Sequence, residues 1–76
     1  NILFAITENN EILIDKRRVY LNEVISNIER LKIEYPEGSV IIQADTLSKS
    51  GLLVETMDQI RLAGIQNISI AAKNDS

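Results

Sequence analysis

The chain has 76 residues, 45% of them hydrophobic and 25% charged, with a formal net charge of −3. This is the composition of one small globular domain, not a disordered segment, and a domain of this length buries only about 60% of the surface its unfolded chain exposes. Histidine and cysteine are both absent, which removes disulfides, thiol chemistry, the usual zinc ligands and the commonest general base; the acidic balance argues against non-specific nucleic-acid binding.

Residues 2–7, "ILFAIT", are apolar and β-prone. Asn9-Asn10 follows, and Asn tolerates the positive φ of a tight turn better than most residues. "ILID" then reads as the return strand of a hairpin, continuing through Val19. Leu21, Val24, Ile25, Ile28, Leu31 and Tyr35 recur at three- and four-residue steps, which predicts a helix over 21–35 ended by Pro36 and Gly38. Its start is open between Tyr20 and Asn22 as the capping residue. "SVIIQA" (39–44) predicts a strand buried on both faces. Leu53, Val54, Met57, Ile60 and Ala63 predict a second helix over 51–63, with Ser50 as N-cap and Gly64 as the left-handed residue after it. "NISIAA" (67–72) predicts the last strand, and 74–76 a frayed tail.

The expected fold is therefore α+β, a two-layer sandwich. Two helices cover one face of a small mixed sheet, in the order β-β-α-β-α-β over a single domain, 1–76. The other face and an edge strand stay open, which invites pairing with a second copy.

Tests for chemistry come back empty. Glu8, Glu11 and Asp15 lack the ligand spacing of a calcium loop and read as solvated surface. Ser48-Lys49-Ser50 is no known nucleophile arrangement, and a lone Gly51 is no phosphate loop. No catalytic residue, cofactor site or metal site is assigned, and no enzyme activity is expected. Asp45, at the end of the third strand, is read first as a loop-shaping carboxylate and second as a binding group. Glu55 and Asp58, three apart on the second helix, suit a solvated face or a basic partner. The run "DKRR" (15–18) reads as a polar connection between hairpin and helix, with an acidic partner as its alternative. A ligand-sensing module lacks its set of convergent polar groups here.

The stretch "VIIQAD", six residues, then "LLVETMDQIRLAGIQNISIAAK" resembles the ExbD/TolR family. Ala44, Asp45, Gly51, Leu53, Val54, Met57, Asp58, Ala63, Gly64 and Ile65 match in order and spacing. "ITENNEILIDKRRVYLNEV" resembles that family's hairpin and first helix, so the likeness covers about residues 4–73. Ser48, Lys49 and Ser50 stand where the family carries a hydrophobic residue, a Pro and an aromatic, which puts a partner site built on that aromatic in doubt.

The resemblance implies the periplasmic domain of a single-pass protein of the bacterial inner membrane. It implies a proton-driven complex with an ExbB- or TolQ-like subunit and a TonB- or TolA-like protein, homodimerisation, and contact with peptidoglycan in TolR-like members. The transmembrane helix and its proton-carrying Asp are expected outside this chain, since no apolar run reaches the roughly 20 residues that cross a bilayer. Under this reading Asp45, Ser50, Gly51, Glu55 and Asp58 are the candidate partner-binding or loop-shaping residues. A second likeness, of "SKSGLLVETMDQIRLAGIQNISI" to STAS domains, makes Ser50 a phosphoacceptor instead.

Overall fold

Alternation in the first strand decides the layering. In β1 (Ile2–Ile6), Ile2, Phe4 and Ile6 are buried while Leu3 and Ala5 are half-buried, the two-residue period of a strand with one face against a core. The structure is a computed structural model that describes residues 1–36 and 38–73; the expected frayed tail, 74–76, lies outside them. β2 (Ile12–Ile14) and β3 (Arg17–Val19) follow, then a single 3-10 turn (Leu21–Glu23) running into α1 (Val24–Glu34). β4 (Val40–Asp45), α2 (Ser50–Leu62) and β5 (Ile68–Lys73) complete the chain.

The strands form one five-stranded sheet in the order β3-β2-β1-β4-β5. The pairs β1–β2 and β2–β3 are antiparallel, and β1–β4 and β4–β5 are parallel. Val24 and Ile28 of α1, Ile60 of α2, and Ala63 and Ile65 just after it join the buried strand residues in one core. Both helices therefore lie on one face of the sheet, as expected for the two-layer α+β sandwich.

Three expectations about the strands need correction. The second strand does not continue to Val19. Asp15 and Lys16 have φ of 49° and 71°, as a two-residue type I′ turn requires, so residues 12–19 are a second hairpin. "DKRR" is thus a turn followed by an edge strand, and the order is β-β-β-α-β-α-β. β4 is not buried on both faces: Val40, Ile42 and Ala44 are buried, but Ile41 and Gln43 are half-buried because no helix covers their side. The last strand also runs one residue further, to Lys73.

Helix ends follow local chemistry in two of three places. Tyr20 precedes the 3-10 turn; its N–H donates to Glu23 Oε1 (2.8 Å) and its carbonyl accepts from Glu23 N–H (2.9 Å). Gly64 has a φ of 96°, the left-handed value expected after a helix, and the neighbouring Ala63 carbonyl accepts from Lys32 Nζ (3.3 Å). Ser50, in contrast, is the first residue of α2 and not its cap. Lys49 takes the capping position with extended backbone and makes no side-chain cap bond.

Candidate functional site

What replaces the missing cap comes from another loop. Asn10 has a φ of 61°, which turns its side chain so that Oδ1 accepts the Lys49 N–H at 2.7 Å. The turn between β1 and β2 is braced internally, because Thr7 Oγ1 accepts from Glu11 N–H (3.1 Å) and Asn9 N–H (3.3 Å). Two loops are thereby tied at the carboxyl ends of β1 and β4. One orphan donor at the start of α2 is satisfied by a residue 39 positions away.

Asp45 shapes the second of these loops. It is 8% exposed, and its Oδ1 accepts the Leu47 N–H at 2.8 Å, an Asx turn. Its carbonyl accepts from both Ser48 N–H (3.0 Å) and Ser48 Oγ (2.6 Å). Asp45 also borders a hollow of about 270 Å³ with Glu8, Glu11 and Gln43. Ser50 and Gly51 are exposed at the start of α2, and a Cβ added at Gly51 would meet nothing within 4 Å. Glu55 and Asp58 are exposed on α2, beyond its first turn. Asp45, Ser50 and Gly51 therefore share one loop-to-helix segment, while Glu55 and Asp58 stand on the helix surface. Among the described residues no group of three His, Cys, Asp or Glu side chains is arranged to hold a metal ion.

The features most open to a partner are the sheet's edges. β5 is bonded to β4 alone. Its register with β4 sets Ile70 opposite Ile42. Ile42 is fully buried, yet Ile70 is 48% exposed, so the helical layer stops short of this edge. Ser69 and Ala71 face the uncovered side, beside Ile41 and Gln43. Half-buried Leu3, Leu13 and Ile41 continue that side across the sheet. β5 has no Pro, and the one charged residue in it is Lys73 at its end, so its first five positions carry no charge to guard the edge. The pattern of "NISIAA" marked a strand, but nothing in it marked the edge position, which depends on strand order.

A family model for the biopolymer transport protein ExbD/TolR matches residues 1–75. The chain is 40% identical over 72 residues to the biopolymer transport protein exbD2 of Vibrio cholerae serotype O1. That alignment takes in 95% of this chain and 54% of the Vibrio protein, so the chain spans about half of its relative's length.

Proposed function

Because the chain belongs to the ExbD/TolR family, we propose that it is the periplasmic domain of an energy-transducing subunit anchored in the bacterial inner membrane. In this reading a membrane anchor outside these 76 residues carries the proton step with an ExbB- or TolQ-like subunit, and this domain passes the resulting motion to a TonB- or TolA-like protein. The match across residues 1–75 carries the reading. The 40% identical Vibrio relative bears an ExbD name, and the TonB type is taken as the form to test. No described helix is long and apolar enough to cross a membrane. The proposed role is mechanical and recognitional, not catalytic. The match takes in the stretch 48–70 that carried the STAS likeness, and we read that stretch as part of the ExbD/TolR domain.

The domain acts as a homodimer in this reading, with β5 as the self-pairing edge. A small domain with a thin core and a six-residue edge strand without Pro gains from burying it. The test uses the full-length protein in its native host. Deleting its gene should abolish TonB-dependent uptake and leave envelope integrity intact, with uptake restored to wild type by the plasmid-borne gene. Normal uptake with a leaky envelope would move the protein to the Tol-Pal type, and no defect in either would overturn the reading. Dimerisation is read separately by sedimentation: Ala72→Pro in β5, whose N–H points away from β4, should convert dimer to monomer and leave the β4–β5 ladder intact, and a monomeric wild type would remove the self-pairing edge.

A further inference from the structure

The opposite edge of the sheet is chemically unlike β5. A groove of about 640 Å³ lies between β3 and α1, within the size range of ligand clefts. Ile14, Val19 and Leu31 supply its apolar side, and Arg17 and Arg18 from β3 and Arg30 from α1 supply its cations. Arg17 lies on the helix-facing side of β3, since it pairs with buried Ile14 and stands two residues from buried Val19.

Neither Arg17 nor Arg30 is in an ion pair among the described residues. Among the described residues the single ion pair is Arg18 Nε to Glu11 Oε2 at 3.3 Å. Arg30 reaches only the Asn27 amide oxygen, at 2.8 Å, and Glu23 is engaged by the Tyr20 N–H. Asp15 and Glu34 also border the groove, yet neither comes within pairing distance of a guanidinium. Two arginines from different elements thus face one cleft with no carboxylate partner among the described residues, in a chain whose net charge is −3.

The backbone of β3 adds a second requirement. In a two-residue hairpin the closing pair exchanges both hydrogen bonds and the bonded pairs alternate. Arg17–Ile14 and Val19–Ile12 are therefore the bonded pairs, and the Arg18 N–H and C=O point away from β2. A strand laid on this edge would bond at Arg18, and the residues either side of the bonded one would enter the groove.

We propose that the β3–α1 groove binds an extended acidic peptide of a partner protein, added as a sixth strand beside β3. One side chain of the peptide packs on Val19 and Leu31, and a carboxylate two residues along sits between Arg17 and Arg30. The proposal is independent of the TonB or Tol assignment and of pairing through β5.

The probe is an acetylated, amidated pentapeptide, Thr-Val-Thr-Glu-Thr, titrated into the isotopically labelled chain and followed by amide NMR shifts. Shifts should centre on Arg18, Val19 and Leu31, with the Arg18 amide gaining protection from exchange. The same peptide with Gln for Glu should bind about threefold more weakly at low salt and equally at high salt. The double variant Arg17→Gln, Arg30→Gln should erase that difference at unchanged melting temperature. Arg18→Pro removes an outward N–H that no neighbouring strand uses, so it should abolish binding and leave the fold intact. Shifts confined to β5, equal binding of both peptides at low salt, no binding at millimolar peptide, or tighter capture of a soluble peptidoglycan fragment by the same residues would each overturn the proposal.

Discussion

Asn10 performs two tasks that can be separated by substitution. Its left-handed φ of 61° closes the β1–β2 loop, and its side chain accepts the Lys49 N–H at the start of α2. Asn10→Gly keeps the backbone conformation at no steric cost but removes the acceptor. That hydrogen bond is exposed to water, so its net worth is about 0.5–1 kcal/mol. Asn10→Ala loses the same bond and also places a Cβ in the left-handed region, for about 1–2 kcal/mol more. The expected order of stability is Asn, then Gly, then Ala, with a total loss of about 2 kcal/mol for Ala. Each kcal/mol moves the melting temperature by about 4–8 °C in a domain of this size, so both steps are resolvable by calorimetry and by urea titration. Amide exchange adds a local reading, because the Lys49 N–H should lose protection in both variants. If Gly and Ala were equally stable, the conformational part of the argument would fail. If Gly matched the parent and Lys49 stayed protected, the tie between the loops would carry no energy.

The other predictions concern single positions. Lys16→Gly, at a φ of 71°, should stabilise the chain by about 1 kcal/mol in a urea titration, by relieving the strain of a left-handed non-glycine residue. Gly64→Ala should destabilise it by about 1–2 kcal/mol; the backbone at a φ of 96° is the cause, since the nearest atom to the new Cβ is the movable Lys32 Nζ. Two isoleucines of α1 make a contrasting pair. Ile28→Ala, fully buried, should cost about 2–5 kcal/mol, whereas Ile33→Ala, 81% exposed, should stay within about 0.5 kcal/mol.

The helices were legible because their signals are local. Apolar steps of three and four residues from Leu21 onward, and Gly64 after Ala63, need no knowledge of the rest of the fold. β3 was hidden because an edge strand of two arginines and one valine shows no apolar alternation, and its turn uses Asp-Lys where Asn-Gly would have announced a hairpin. Ser50 was misjudged as a cap for a related reason. The local rule favours a Ser beside a helix start, but the acceptor that serves Lys49 arrives from Asn10, and sequence spacing does not reveal a bond across 39 residues. The loop-shaping reading of Asp45 was accessible, since an Asx turn is a short-range motif. The edges and the β3–α1 groove were not, because both follow from strand order.

The placement of β1 at the centre of the sheet bears on how the domain withstands force. β1 is hydrogen-bonded on both sides, in register with three residues of β2 and five of β4. A pull applied to Asn1 along the strand therefore loads two ladders in shear, and their bonds must yield together. β5, held on one side only, can instead be peeled away one bond at a time. The molecule is thus stiff to tension entering at its first strand and compliant at its last.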